Sequence, residues 1–449
     1  MTNIAIKPSN AAEWLTYIEA LHPKNISMGL DRVKTVLDKL KLSPTFPIIT
    51  VAGTNGKGSV CTMLSHIYVQ AGYRVGCYTS PHINRYNERV SVNLINISDD
   101  DLCTAFAAVE AARCSAENGD VALTYFEMGT LAAMWHFCRQ QLDMSGLDVC
   151  ILEVGLGGRL DAVNVFEPDC AIVTTIDLDH MEYLGDTREQ IGYEKAGIFR
   201  ANTLAICGDE NPPQTLLNHA KKIGADLALI GRDFSVKKTQ QGWQYSAKSV
   251  QLQLPTLGLV GDFQLNNAAC VLCAVLHLNE KLPVLETSIH AALRAVSLSG
   301  RFQQIQSNPQ IIVDVAHNPH AATSLAQNLK AAAYTGKTLA VLGMLRDKDM
   351  GGVISAVTAE VDAWYLADID SARGAKARDL QHFLLQQNSK KPIKLFADVA
   401  AALASACKDA AKNDRIIVFG SFYTAADAMA HVQNDNQHFT AVFKANIWR

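Results

Sequence analysis

Several stretches of this chain place charged residues, hydroxyls and glycines where apolar strand-like runs end. The clearest is Gly53-Thr-Asn-Gly-Lys-Gly-Ser59, set between a strand-like and a helix-like segment. Glycines let backbone amides approach an anion, a helix N-terminus aims N–H donors at it, and Lys57 adds a point charge. Ser59 can offer its hydroxyl to a magnesium ion. Together these make a phosphate cradle; the plainer alternative is a glycine-rich connection between two elements. The spacing departs from GxxxxGK[ST], so the strand–loop–helix setting carries the reading. Ile151-Leu-Glu-Val-Gly-Leu-Gly-Gly-Arg-Leu-Asp161 ends a second apolar run on Glu153. An ionised carboxylate there is costly unless a cation meets it, and a metal is the obvious cation; a carboxylate capping a loop is the alternative. Thr174-Thr-Ile-Asp-Leu-Asp-His180 repeats the arrangement, ending a strand with Asp177, Asp179 and His180, and a histidine so placed is a fair metal ligand. Lys195 lies in the predominantly apolar Ile191–Ile198 and needs a partner or a shifted pKa. An ion pair with Glu194 or another carboxylate is the simple solution. Much later, Asp314-Val-Ala-His-Asn-Pro-His320 lies at the C-terminal end of a further domain's first strand, where open α/β sheets bind ligands. Arg301, just upstream, is placed to reach between domains.

The elements that must hold these groups follow from periodicity. Pro47–Val51 reads as a buried strand, Ser59–Gly72 as a helix with apolar residues at helical spacing, and Arg74–Ser80 as the next strand. Val149–Val154 and Ala171–Ile176 are further β-branched runs, giving an α/β pattern with a mostly parallel sheet. The stretch from Leu204 to Leu259 alternates more loosely and predicts an antiparallel elaboration, followed by a helix over Asn266–Leu278. Near Leu298-Ser-Gly-Arg-Phe302 the pattern restarts. Ile311–Ala316, Thr338–Met344, Trp364–Ala367, Ile393–Ala397 and Arg415–Gly420 are strand-like, and most are separated by stretches of helix length. The expected architecture is an N-terminal P-loop ATPase-type domain with a mostly parallel sheet over residues 1–296. A C-terminal, doubly wound Rossmann-like domain over 297–449 completes it.

Bulk composition bounds the function. With 449 residues, two or three domains are expected. A hydrophobic share of 49% and a charged share of 19% describe a packed enzyme and not a disordered chain. The net charge of −4, with no block of like charge, gives no reason to expect nucleic acid or a membrane surface as partner. Met1 to Trp14 has no apolar h-region, and runs such as Ala268–Leu276 fall well short of the roughly 20 residues that cross a bilayer. The eleven cysteines are scattered. Cys270 and Cys273 form the only tight pair, with no second CxxC to complete a zinc site, so core thiols in a reducing cytoplasm are expected.

Taken together, the motifs resemble the Mur ligase superfamily and, within it, the family of bifunctional dihydrofolate synthases/folylpolyglutamate synthases. The resemblance runs almost the whole chain. Besides the segments above it includes Met28-Gly-Leu-Asp-Arg32, Thr79-Ser-Pro-His82, Asn87-Glu-Arg-Val90, Leu123-Thr-Tyr-Phe-Glu-Met-Gly129, Gly300-Arg-Phe-Gln303 and Gly343-Met-Leu-Arg-Asp-Lys-Asp349. It implies ATP-dependent ligation of L-glutamate to dihydropteroate and to reduced folates through an acyl phosphate. Thr54, Asn55, Gly56, Lys57, Gly58 and Ser59 would hold the ATP phosphates, with Asn267, Arg301 and Asp314 also on the nucleotide. Ser59, Ser80, Glu153 and His180 would be metal ligands, for two Mg2+ ions, with a monovalent cation such as K+ alongside. Lys195 would be carbamylated, turning an ammonium into an anion able to hold magnesium. Met28, Gly29, Leu30, Thr124, Tyr125, Phe126, Glu127, Leu160, Asp161 and Ala162 would line the pterin-side pocket, and His317 would lie near the incoming glutamate. Lys57, Lys195, His180 and His317 form the catalytic set of this reading.

The chain departs from many relatives in Gly261-Asp-Phe-Gln-Leu-Asn-Asn267, where Phe263 takes a histidine's place and leaves the choice between Asn266 and Asn267 open. The resemblance further implies a monomer in the cytoplasm, with small molecules as its only partners. Closure of the second domain would exclude water from the reactive intermediate. Two other readings compete: a peptidoglycan-type ligase that adds an amino acid to a muramyl nucleotide, and a nucleotide-dependent switch that makes no bond.

Overall fold

The computed structural model describes residues 8–24, 26–115, 119–140, 146–248, 250–332 and 334–433. Residues 1–7 of the N-terminal stretch and 434–449 of the expected second domain lie outside the described residues. The chain divides into two compact units, Met1–Gly258 with Gln264–Val296, and Leu259–Phe263 with Ser297–Arg449.

The first unit is built on an eight-stranded sheet. Its strands in chain order are β1 (Ile48–Ala52), β2 (Val75–Tyr78), β3 (Val90–Val92), β4 (Ile95–Asn96), β5 (Val149–Glu153), β6 (Cys170–Val173), β7 (Leu204–Cys207) and β8 (Asp226–Leu229). They lie side by side as β4-β3-β2-β5-β1-β6-β7-β8, parallel from β2 to β8, with β3 and β4 antiparallel at one edge. Every residue of β1, β2, β5, β6 and β7 is buried. That is the signature of parallel strands covered by helices on both faces, and it explains why these runs are continuously apolar.

The strands of the central sheet end sooner than the sequence pattern implies. β6 stops at Val173, so Thr174–His180 is loop throughout and not a strand end. The helix after β1 covers Lys57–Gln70, starting within the glycine loop because Gly56, at φ 92°, already serves as its cap. Leu204–Leu259 is corrected in part. Its first two strands, β7 and β8, extend the parallel sheet around the helix Gln214–Ile223, and only β9 (Phe234–Thr239), β10 (Gly242–Ala247) and β11 (Val250–Leu254) form an antiparallel sheet. Short strands look alike in sequence whether a helix or a hairpin joins them.

The second unit carries β12 (Gln303–Ser307), β13 (Gln310–Val313), β14 (Thr338–Leu342), β15 (Ala363–Ala367), β16 (Ile393–Phe396) and β17 (Arg415–Phe419), ordered β12-β13-β17-β14-β15-β16. All pairs are parallel except β12 with β13. β12 is an additional strand: Asp314 follows the unit's second strand, not its first. The polar edge sequence Gln-Gln-Ile-Gln-Ser gave no strand signal. Helices Pro319–Ala331, Met350–Val357 and Ala377–Gln386 bury Leu325, Val353 and Leu380 in a core shared with Trp364 and Phe419.

All eleven cysteines are free thiols. Six are buried, while Cys114 is exposed on a helix end and is no core residue. No helix among the described residues is long and apolar enough to cross a membrane.

Candidate active site

In the first unit, the loops after β1, β2, β5 and β6 leave the same edge of the sheet. Register sets their level: Val51 pairs with Glu153, Ala52 with Val173, and Tyr78 with Leu152. Gly53, Val154, Thr174 and Thr79 therefore leave the sheet side by side, and the side chains quoted above meet because of it.

The phosphate loop is wired to the β6 loop. Thr54 N–H donates to the Thr175 carbonyl at 2.7 Å, and the Thr174 hydroxyl donates to the Asn55 carbonyl at 2.6 Å. The Thr54 hydroxyl accepts from Asp177 N–H at 3.0 Å and donates to the Asp177 carbonyl at 3.1 Å. Two glycines are required sterically. A Cβ on Gly53, at φ 146°, would lie 1.8 Å from Thr174 Oγ1, and one on Gly56 would lie 2.5 Å from Asn267 Oδ1. Lys57 Nζ donates to the Gly53 and Thr54 carbonyls at 3.0 and 3.3 Å, so the lysine braces its own loop. The first amides of Lys57–Gln70 have no intrahelical acceptor and can meet an anion.

Two residues from the helix Phe263–His277 complete this loop. Gln264 Nε2 donates to Ser59 Oγ at 3.2 Å, and Asn267 Nδ2 donates to Gln264 Oε1 at 2.9 Å. Both are buried. Of the two asparagines, Asn267 stands at the loop, while Asn266 donates to Glu210 at 3.0 Å. Gln264 escaped the sequence reading, although it stands in the segment singled out for its departure at Phe263. Phe263 folds against Gly261, whose Cβ position lies 2.5 Å from the ring.

Around the same edge gather charges that burial makes expensive. Glu153 is buried at the end of β5, where it accepts Ser80 N–H at 3.1 Å. His180, at φ 51°, takes a left-handed turn after Asp179, whose carboxylate accepts His180 N–H at 2.9 Å and lies 3.9 Å from His180 Nε2. Lys195 is 4% exposed. Its pKa is lowered to about 7, chiefly by burial and then by the charge of Lys57, with Asp179 and Asp161 opposing the shift. Asp161 is pushed up to about 7 by burial, against N–H donors from Leu156, Val163 and Gly155 and the charge of Lys57. The expected Lys195–Glu194 ion pair does not form. Glu194 is taken by Arg159 at 2.8 Å, because consecutive helical residues point to different faces. Among the described residues no group of three or more His, Cys, Asp or Glu stands ready to hold a metal. Hydroxyl oxygens from Ser59 and Ser80 are the further donors at this edge.

The proposed pterin-side segments also converge. Gly29 N–H donates to the Leu160 carbonyl at 3.3 Å, and the Cβ position of Gly157 lies 3.7 Å from Met28 Cε. Phe126 packs on Gly155, within 2.7 Å of its Cβ position, and against Tyr78 with ring centroids 5.8 Å apart. Thr124 caps its helix with Glu127 as reciprocal partner, and Arg32 pairs with Glu127 at 2.8 Å, so both Glu127 oxygens are engaged. Asp161 and Ala162 are buried behind this wall, while Leu30 precedes the helix Asp31–Leu40.

In the second unit, Asp314 is half-buried and accepts N–H bonds from Phe302 and Ala316, each at 2.8 Å. Burial raises its pKa and Arg301 opposes the shift. The His317 ring is 2.9 Å from the Val315 carbonyl through Nδ1, which places a proton on that nitrogen. Phe422, unmarked in the sequence, joins the group. Arg301 lies over its ring at 5.5 Å, and His317 packs beside it at 6.2 Å. Its position just after a strand end was the available signal.

Comparisons with known proteins agree with this geometry. Residues 134–275 match the Mur ligase middle domain, and residues 300–422 match the Mur ligase, glutamate ligase domain. A dihydrofolate synthase/folylpolyglutamate synthase from Escherichia coli K12 is 44% identical over 422 residues, covering 94% of this chain and 95% of its own. The structure of E. coli FolC in complex with DHPP and ADP superposes with a TM-score of 0.89 at 42% identity, over 96% of this chain and 99% of that one. A bifunctional folylpolyglutamate synthase/dihydrofolate synthase with Mn, AMPPNP and L-glutamate bound gives 0.85 at 43% identity, over 95% of this chain and all of the other.

Gly53→Ala should test the loop. The added methyl must displace Thr174 Oγ1, and residue 53 holds a φ that L side chains avoid, at a cost of about 1–3 kcal/mol. ATP affinity by calorimetry should fall at least roughly tenfold, on the scale of one lost charge-assisted hydrogen bond. Unchanged affinity would show that the loop does not hold the nucleotide.

Proposed function

We propose how this chain, which belongs to the dihydrofolate synthase/folylpolyglutamate synthase family, carries out that family's reaction. The enzyme is an ATP-dependent ligase that joins L-glutamate to dihydropteroate, forming dihydrofolate, and to reduced folates, extending their glutamate tails. A carboxylate oxygen of the acid attacks the γ-phosphorus of ATP, ADP leaves, and an acyl phosphate forms. The glutamate α-amine then attacks the acyl carbon, phosphate leaves, and the nitrogen loses a proton. The observation that carries this reading is the phosphate loop meeting a buried, half-neutral lysine and Glu153 at one sheet edge. Peptidoglycan ligases are relatives at the superfamily level only.

Each residue's part follows from its surroundings. Thr54, Asn55, Gly56, Gly58 and Ser59 cradle the phosphates, with Asn267 held beside Gly56. Lys57 transfers its donors from its own loop carbonyls to the phosphoryl oxygens, a pre-aligned move that requires no large rearrangement. ATP and a divalent metal are used. The available donors are mostly hard oxygens, Ser59, Ser80 and Glu153, with His180 as the nitrogen, which suits Mg2+. We take two ions, with K+ as a further cation. Bound there, the metal would neutralise charge on the phosphoryl oxygens. Lys195, as a free amine, does not fit a metal site. Its depressed pKa leaves it half neutral near pH 7, ready to add CO2 and release a proton, and the resulting carbamate does fit. Met28, Gly29, Leu30, Thr124, Tyr125, Phe126, Glu127, Leu160, Asp161 and Ala162 form the pterin-side wall. In residues 297–449, the glutamate-ligase module of this reading, Arg301 and Asp314 serve the nucleotide and His317 the incoming glutamate. Residues 1–296 are the ATP-binding module, and the enzyme works as a monomer in the cytoplasm.

A steady-state assay with dihydropteroate, tetrahydrofolate and glutamate omitted in turn tests the function. ADP release should require both an acid and glutamate, and oxygen-18 from the acid's carboxylate should reach inorganic phosphate. Glutamate-independent ATP hydrolysis would favour a switch, and turnover of a muramyl nucleotide in place of the pteroate would favour a peptidoglycan ligase. Lys57→Ala should lower kcat by about 10²–10³-fold, the scale of losing one charge-stabilising donor; near-normal turnover removes Lys57 from the mechanism. For Lys195 the sign is set by its lowered pKa, because the reactive neutral amine gains population as pH rises through about 7. At fixed dissolved CO2, the rate of carbamate formation followed by carbon-13 NMR should climb from pH 6 and level off by pH 8. A rate still rising tenfold per pH unit above 8 would mark an ordinary lysine.

A further inference from the structure

Arg89 is a half-buried cation of the first unit that the mechanism above does not use. It ends the short 3-10 turn Tyr86–Arg89, and its carbonyl accepts Thr79 N–H at 2.8 Å, one residue before Ser80. Its guanidinium lies over the ring of Tyr86 at 5.1 Å and over that of Tyr125 at 5.5 Å. These two rings meet edge to face, with centroids 5.5 Å apart. Arg89 Nε donates to His82 Nδ1 at 2.9 Å. An arginine has no acceptor, so this bond fixes the imidazole with Nδ1 bare and orients the guanidinium plane. Two rings and a histidine therefore hold the group rigidly.

No carboxylate neutralises it among the described residues. Glu88, next in sequence, spends its oxygens on the N–H groups of Ile83, Asn84 and Arg85. Asp99 is held by Arg85 through both oxygens at 2.9 Å, and by Asn87. Three other arginines of the unit have carboxylate partners: Arg32 has Glu127, Arg113 has Glu110, and Arg200 has Glu167. Among the described residues Arg89 makes one hydrogen bond, through Nε, and none through its two Nη groups. A clamped, desolvated guanidinium with a free donor edge is arranged for a planar anion.

Its position selects which anion. One neighbour, Tyr125, begins the helix whose Phe126 packs on Gly155 in the pterin-side wall, and the other is the Ser80 loop touching Glu153. Arg89 thus stands where the acid's distal end approaches the phosphoryl-transfer edge. The two acids accepted there differ at that end. Dihydropteroate carries only the carboxylate that reacts. A folate carries a glutamate whose γ-carboxylate reacts and whose α-carboxylate must go elsewhere without being activated. We infer that Arg89, clamped between Tyr86 and Tyr125 and oriented by His82, binds the α-carboxylate of the folate's terminal glutamate. It thereby serves tail extension and not the first ligation. This rests on the ligase function proposed above.

The test uses full-length Arg89→Gln and Arg89→Lys enzymes with each acid. For Arg89→Gln, KM for tetrahydrofolate should rise roughly 10- to 100-fold, the range for a charge-assisted hydrogen bond. KM and kcat for dihydropteroate should stay within about threefold, which also reports that the variant is folded. Arg89→Lys should recover only part of the loss, because a point charge cannot reproduce the planar fork. Tetrahydrofolate amidated at its α-carboxylate should be as poor a substrate for wild type as for Arg89→Gln. An equal loss with both acids would reveal a structural role and overturn the assignment. A raised KM for glutamate in the dihydropteroate reaction would overturn it too, by placing Arg89 on the incoming amino acid. If wild type ligates neither acid, the ligase function fails first.

Discussion

A buried ammonium group, Lys195, lies within reach of the charge of half-buried Lys57, and the local architecture is organised around making that tolerable. Lys57 disfavours the charged form of Lys195, and burial disfavours it more. The fold answers in three ways. Lys57 donates to the carbonyls of its own loop. Lys195 has a proton affinity low enough to be half discharged near neutrality. Asp161 and Asp179 supply opposing charge, and Asp161 is itself lifted by burial into the same range. A carboxylate and an amine with pKa values both near 7 form a site whose charge is easily reset by an arriving phosphate, metal or CO2.

This electrostatic arrangement depends on loops that are cross-braced by hydrogen bonds. The β1 and β6 loops are joined by backbone and hydroxyl bonds from Thr54, Asn55, Thr174, Thr175 and Asp177, and Gln264 ties Ser59 to a helix more than 200 residues downstream. The cradle is therefore assembled by the protein's own hydrogen bonds and does not rely on a ligand to shape it. Preorganisation of that kind is the main resource of phosphoryl transfer, where little covalent chemistry is left for side chains. The second unit shows the same economy. Asp314 is fixed by two N–H donors, and Arg301 and His317 are steadied by the single ring of Phe422.

Partnering among the arginines separates scaffold from ligand-facing positions. Arg32 locks the cap of the helix Tyr125–Arg139 through Glu127, and Arg188 is held to Asp209, whose carboxylate also accepts Ile176 N–H in the β6 loop. These groups have spent their charge inside the structure. A guanidinium held by rings and an imidazole, as Arg89 is, has its orientation fixed while its charge stays available.

By itself, the sequence determined the α/β class, the two larger sheets and the strand-end positions of the reactive segments. Buried parallel strands must be continuous apolar runs, and loops that cradle phosphate must be glycines at fixed offsets from a helix; both constraints are local and survive in one dimension. It misplaced the helical link between β7 and β8 and overlooked β12, because exposed edge strands carry no compulsory pattern. Only the tertiary structure decided that Glu194 faces Arg159 and leaves Lys195 alone, that Asn267 and not Asn266 reaches the loop, and that Gln264, Phe422 and Arg89 stand beside the reactive groups. Those outcomes turn on which face of a helix meets which neighbour across hundreds of residues. Burial then sets the ionisation of Lys195 and Asp161, a quantity that exists only once the surrounding chain has excluded water.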